Sequence, residues 1–189
     1  MKIAVVTGDG FTVVRPDTTW ERRNSDFYAP ELAGRLSWAP VAFAMISRPG
    51  KCIQEKFAAR YFGDTGFGVL LYPDGLDSPH GYAQACCLNL SSCLPYPFPD
   101  NSVPDCASGE AFSFCIDGIE AFNVPDAVAF ARESIAQAVA VSSQRVLFRN
   151  GDIIVAELAE PTLLGPAGGT GITGSYDGMA NLIDFKIIV

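Results

Sequence analysis

The chain has 189 residues, a formal net charge of −8 and an isoelectric point near 4.5. An apolar share of 49% beside a charged share of 18% belongs to a chain that folds around a core, and the length suits one domain. The acidic balance, with no basic patch, argues against a nucleic-acid surface. No run of ~20 apolar residues could span a bilayer, and the IAVV segment after Lys2 is too short for a secretory signal. The expectation is a cytoplasmic protein with no nucleic-acid or membrane partner.

In chain order, residues 3–7 and 11–15 are β-branched runs around Gly8-Asp9-Gly10, the pattern of a β-hairpin. Residues 22–36 are polar, with a short helix predicted near Phe27 to Leu32 and limited by Pro30. Val41 to Ile46 is a short apolar strand stopped by Arg48-Pro49-Gly50. Ile53, Phe57 and Tyr61, with Ala58 beside them, predict the inner face of a short helix that Gly63 and Gly66 end. Val69 to Tyr72 is the next strand, closed by Pro73-Asp74-Gly75.

Ala83 to Leu90 is apolar enough for burial, and Pro95 to Pro104, with four prolines, is expected to be an ordered loop in which Tyr96 and Phe98 are covered. Residues 112–116 and 119–122 flank Asp117-Gly118 as a second hairpin. Asp126 is the expected N-cap of the longest helix, with Val128, Ala131, Ile135, Ala138 and Val139 facing inward. A strand follows over 153–158, a glycine-rich loop over 164–174, a turn at Tyr176 to Gly178 and a last strand over 182–189. Short strands with two main helices, in no βαβ rhythm, indicate a β-rich α+β fold.

The cysteines stand at 52, 86, 87, 93, 106 and 115 with no CxxC pair, and His80 is the one histidine. That set argues against zinc and for reduced cysteines packed as small hydrophobes. The Gly168-Gly169-Thr170-Gly171 cluster lacks a lysine and opens no helix, so a loop is the reading preferred to a phosphate site.

The stretch from Ile46 to Leu76, ISRPGKCIQEKFAARYFGDTGFGVLLYPDGL, resembles the "ISKPG…I…A..Y…IGLGID" segment of the fumarylacetoacetate hydrolase family. NGDIIVAELAEPTLLGP is similar to that family's "GDLI.TGTP.GVGP" segment, and SYDGMANLIDFKI to its closing "EGYLEG…FSFNIK". The resemblance runs from about Arg23 to Val189. It implies a mixed β-sheet/β-roll fold like the family's C-terminal domain, one domain over 1–189 with 1–21 as a hairpin extension of a 22–189 core, and a homodimer. It also implies cleavage or decarboxylation of β-dicarbonyl compounds such as acylpyruvates, with a Mg²⁺ or Ca²⁺ ion acting as Lewis acid.

Carried over position by position, the residues that would do this chemistry differ. The family's N-Y-x-x-H-x-x-E motif falls on residues 24–31, where Asn24 and Glu31 match and Tyr28 takes the histidine position. A phenol of ordinary pKa ~10 is a poor general base at neutral pH. The E-x-E metal pair falls on Ala39 and Val41, the metal aspartate on Leu70, and the lysine on Leu88. The resemblance therefore implies a scaffold without its metal ligands, histidine and lysine: no cofactor, no catalytic residue, and a pocket for a small molecule lined by Tyr28, Glu31, Leu70 and Leu88. The expected function is a non-catalytic binding or structural subunit. The alternative is a divergent hydrolase or decarboxylase of β-dicarbonyl compounds, using Glu31 and Tyr28 or the Asp74, Asp77 and His80 group.

Overall fold

A computed structural model describes residues 1–73, 75–76, 78, 80–95, 110–165, 169–176 and 179–188. In chain order the strands are β1 Lys2–Val6, β2 Thr12–Pro16, β3 Trp20–Glu21, β4 Phe27–Tyr28, β5 Ser37–Ile46, β6 Phe62–Tyr72, β7 Ser92–Cys93, β8 Phe112–Ile116, β9 Ile119–Val124, β10 Ile153–Glu157, β11 Thr162–Leu163, β12 Thr170–Tyr176 and β13 Ile183–Ile188. The α-helices are α1 Glu55–Ala58, α2 Gly81–Ala85 and α3 Ala127–Ser143. Among the described residues only α3 is longer than a turn or so; the architecture is β-rich α+β, as the sequence indicates.

Two sheets carry the fold. The larger runs β2-β1-β10-β5-β6-β7-β3 with β11 paired to β5, and the smaller runs β4-β13-β12-β8-β9. Both are mixed, because β1 lies parallel to β10, β3 to β7 and β13 to β4. The hairpin of β1 and β2 is thus an integral edge of the larger sheet, joined through β10.

The central strands of the larger sheet are buried on both faces. A strand points successive side chains to opposite sides. Trp38, Ala42, Ala44 and Ile46 of β5 enter one core, with Phe67, Val69 and Leu71 of β6 and Ile154 of β10. That core also takes α3 and the smaller sheet, whose Phe112 ring stacks on Phe67 at 4.5 Å between centroids. Ala39, Val41 and Phe43, with Leu70, Tyr72, Ile153, Val155, Ile3 and Val5, enter a second core on the opposite face. Burial on both sides explains why these strands read as unbroken apolar runs and not as alternating ones.

Several local expectations give way to this pairing. Phe27 to Leu32 is no helix: β4 pairs with β13, and a 3-10 turn, Glu31–Ala33, follows Pro30. The helix expected from Ile53 shrinks to the one turn of α1, because β6 already begins at Phe62. Phe57 turns outward, with Lys56 Nζ and Arg60 Cζ 4.9 Å and 5.0 Å from its ring centre.

Gly63 and Gly66 lie inside β6 and end no helix. A Cβ on Gly66 would sit 2.9 Å from the Phe43 ring across the ladder, and one on Gly68 would sit 2.7 Å from the Cys93 carbonyl oxygen. These glycines let an aromatic side chain and a neighbouring strand close over the sheet. Residues 170–176 form β12, where a glycine-rich loop was expected. On α3, Ala127 faces inward and Val128 outward, since the buried stripe steps back four residues from Ala131. Asp126 does precede α3, in a left-handed conformation, but its side chain makes no capping hydrogen bond. The proline-rich segment from Tyr96 to Pro104 and the turn at 177–178 lie outside the described residues. Among the described residues no helix is long and apolar enough to cross a membrane.

The start of β1 is tied to the turn before β10 by one carboxylate. Buried Asp152 accepts hydrogen bonds from the Lys2 and Arg149 backbone amides at 3.2 Å and 2.7 Å, and pairs with the Lys2 ammonium. Burial pushes this carboxyl up, but Lys2 and the two amides outweigh burial and hold it below its ordinary 3.8. A depressed pKa means that the contribution is complete above the unfolded-state value and disappears as pH falls through the folded one. Asp152→Asn should cost about 1–3 kcal/mol in urea unfolding at pH 7, and the gap to the parent should close as pH falls below 3.8. A gap that stays constant down to pH 2 would contradict the assignment.

Candidate functional site

The second core is where the aligned metal positions meet. In the antiparallel ladder of β5 and β6, Ala39 faces Leu70 and Val41 faces Gly68. Ala39, Val41 and Leu70 are all fully buried and share a core with Phe43, Leu94 and the odd-numbered residues of β10. None of the three has a polar side-chain atom. The structure does not bring Tyr28, Glu31 and Leu88 to them. Tyr28 is 72% exposed on β4, Glu31 is exposed in its 3-10 turn, and Leu88 packs against the first core. Leu88 lines a separate apolar groove of about 520 Å³ with Leu32, Ala33 and Pro73. His80 precedes α2 and is exposed, while Asp74 and Asp77 lie outside the described residues.

The polar chemistry lies at the end of the same sheet face. Following Ile153 and Val155, the next side chain to that side of β10 is Glu157, which stands opposite Val41 in the ladder. Following Leu70, the next on β6 is Tyr72. The Tyr72 hydroxyl donates to Glu157 Oε1, and the Gly8 backbone N–H donates to Glu157 Oε2 at 3.2 Å. Arg15 is buried behind them, 1% exposed, with its guanidinium 4.6 Å from the Tyr72 ring centre. It donates to the Leu71 carbonyl at 3.3 Å, the Ser91 hydroxyl at 3.1 Å and the Ser92 hydroxyl at 3.3 Å. No ion pair of the described residues includes it, so its charge is met by these dipoles and, through Tyr72, by Glu157.

Burial pushes the Glu157 carboxyl above its usual range, against the hydrogen bonds from Tyr72 and Gly8 and the charge of Arg15. Burial also pushes the Tyr72 phenol well up, beyond what nearby Arg15 can offset. Tyr72 is therefore a neutral donor at any working pH, and Glu157 is a carboxylate partly stripped of water.

Glu157 opens onto a cavity of about 420 Å³ whose walls include Asp9, Arg35, Tyr82 and Glu160. Tyr82, on α2, sets its ring edge-on to Tyr72 at 5.7 Å between centroids. Burial pushes its phenol up to about 12. The volume falls in the ordinary range for small-molecule sites. In the sequence, the family's "TGTP" threonine region falls near Glu157 to Pro161 with no clean match, and gives Glu157 no role. The signal was available as the alternation Ile153, Val155, Glu157, a carboxylate at the next inward position of an otherwise apolar face.

A divalent ion of the Mg²⁺ or Ca²⁺ kind needs several oxygen donors at once. The three aligned positions offer none, and Glu157 is one carboxylate already held by two donors. Among the described residues no group of three or more His, Cys, Asp or Glu could hold a metal. These residues do not fit the ion.

No family model matches the sequence, and no curated protein does. Solved structures do match. A Yersinia pestis CO92 protein placed in the fumarylacetoacetate hydrolase family superposes with a TM-score of 0.76 at 17% identity, over 99% of this chain and 92% of its own. The 5-carboxymethyl-2-hydroxymuconate delta-isomerase of Mycobacterium smegmatis gives 0.77 at 15% identity, over 99% and 78%. The fumarylpyruvate hydrolase of Pseudomonas aeruginosa, solved with Mn²⁺ and pyruvate, gives 0.71 at 13% identity, over 100% and 90%. The fold is that of fumarylacetoacetate hydrolase family proteins. The likeness takes in the β1–β2 hairpin as well, since these neighbours cover nearly the whole chain.

The sealed face of this fold is directly testable. Leu70→Asp puts a carboxylate among Ala39, Val41 and Leu94 with no partner, and should cost at least ~3 kcal/mol in urea unfolding at pH 7. A cost below about 1 kcal/mol would mean that water already reaches this face.

Proposed function

We propose that the protein is a metal-independent binder of a small molecule, built on the fumarylacetoacetate hydrolase fold, with the Glu157 cavity as its ligand site. The observation that carries this reading is the meeting of Ala39, Val41 and Leu70 on one buried sheet face. Positions that align with three metal carboxylates are packed with hydrocarbon, which removes both the ligands and the water-filled space an ion would share with a keto acid. The cavity begins where that packing stops, at Glu157, and keeps a polar rim suited to orienting one molecule.

Thermal melting with Mn²⁺ or Mg²⁺ tests the metal half of the reading. A genuine site raised to 100 times its Kd would stabilise the fold by ~2.7 kcal/mol. No saturable rise in melting temperature is expected, and a saturable rise would overturn the proposal.

A second reading keeps catalysis. Glu157 is a carboxyl of raised pKa, fixed by a phenol and open to a cavity, which is how a general acid or base is often held. The neighbours named as a hydrolase and an isomerase make a divergent hydrolase or decarboxylase of acylpyruvate-like compounds the activity to try. The check is turnover of an acylpyruvate and oxaloacetate panel by the parent and by Glu157→Gln. Turnover abolished by the substitution would favour this reading, and no turnover by the parent would leave the binder.

A further inference from the structure

The positive charges of this acidic chain are gathered on one face. Six of its 13 lysines and arginines lie in two stretches, 48–60 and 144–151, which hold one of its 21 acids, Glu55. The stretches are far apart in sequence, and folding sets them side by side. Gly50 and Phe148 form an antiparallel bridge, each amide donating to the other's carbonyl, at 3.2 Å and 2.9 Å. The Cys52 amide donates to the Ser143 carbonyl, and the Ile53 amide to the Ser143 hydroxyl, each at 2.9 Å. Ile53, Ala58 and Phe148 are buried in the first core and anchor both stretches. Arg48, Lys51, Lys56, Arg60, Arg145 and Arg149 are all left exposed. Among the described residues none of the six is in an ion pair. Apolar groups stand among them: Phe57, 38% exposed between Lys56 and Arg60, and Leu147, 52% exposed beside Phe148. This face lies at the other end of β5 and β10 from Glu157. Arg48 follows the end of β5 at Ile46, Arg149 precedes the start of β10 at Ile153, and Glu157 closes β10.

Six like charges set together repel one another, and the one acid among them cannot offset them all. A partner's carboxylates would. Elsewhere the chain holds 20 acids against seven lysines and arginines. A long nucleic acid or a bilayer reaches past the patch and meets surface of its own sign, whereas a short acidic segment meets the patch alone. With exposed Arg132, whose guanidinium lies 5.9 Å from the Phe62 ring centre beyond α1, the face extends along α3. From Arg132 to Arg145 it runs about 20 Å, the length of about six residues of extended chain. Arginines hold carboxylates through paired hydrogen bonds, and apolar contacts add affinity that salt does not screen. We propose that this face binds a short acidic peptide segment of a partner protein. Its carboxylates are met by the arginines and lysines, and an apolar side chain of the segment by Phe57 and Leu147.

The experiment is fluorescence anisotropy at low salt with a fluorescein-labelled hexapeptide of four glutamates and two phenylalanines. Saturable binding is expected, and the same peptide with lysine in place of glutamate should not bind. Lys51→Glu with Arg145→Glu should weaken binding at least tenfold, and Phe57→Ser severalfold, while the variants still melt cooperatively. Arg23→Glu with Lys186→Glu makes the same charge change on exposed residues at the smaller sheet and should leave affinity unchanged. If the first pair fails to fold, Lys56→Glu with Arg60→Glu carries the same comparison. No saturable binding, affinity unchanged by charge reversal on this face or by Phe57→Ser, or an equal loss in the pair at the smaller sheet would overturn the proposal. So would tighter binding of oligothymidylate or of phosphatidylserine vesicles, which would give the face to a nucleic acid or to a membrane. None of these results bears on the Glu157 cavity at the far end of the sheet.

Discussion

The antiparallel pairing of β5 with β6 is the constraint on which the rest of the molecule depends. It runs from Ser37 opposite Tyr72 to Ile46 opposite Phe62, the longest ladder in the larger sheet. Its register decides which side chains look toward α3 and the smaller sheet and which look the other way. A slip of one residue would send Trp38, Ala42 and Phe67 to the wrong face, so the first core fixes the second. The glycines of β6 make the register tolerable, since Gly66 and Gly68 leave room for Phe43 and for the β7 backbone.

That register also places the chemistry. The inward face of β5, β6 and β10 is hydrocarbon through Ala39, Val41, Leu70, Ile153 and Val155, and turns polar at Tyr72 and Glu157. The fold keeps a cavity at the edge of the sheet while its interior is filled. A neutral phenol bridges a buried guanidinium and a carboxylate, so neither charge is left without a response from the protein.

Much of this was legible in the residues. The two hairpins, α3 and the strand of β10 follow from local turn chemistry and periodicity, which need nothing from the distant chain. The misread elements are those that tertiary pairing decides. Phe27 and Tyr28 become a strand because β13 runs beside them, and Phe62 to Gly68 becomes one because β5 requires a partner of matching length. At the site, the apolar identity of Ala39, Val41 and Leu70 is plain in the sequence, and their adjacency could be inferred only from ladder register. Glu31 matched a motif in sequence and Tyr28 took its histidine position, yet both stand on the outside, because that motif's helix does not form here. Arg15 and Tyr72 gave no sequence signal, since an arginine in a hairpin is ordinarily solvated.

The proposal that carries the functional reading is that the hydrocarbon packed between β5 and β6 leaves no place for a metal centre. Crystals soaked in MnCl₂ and measured at the manganese edge test it most directly. No anomalous peak is expected among Ala39, Val41 and Leu70, and the difference map there should show only packed side chains. A manganese peak on that face, held by several carboxylate oxygens, would contradict the claim.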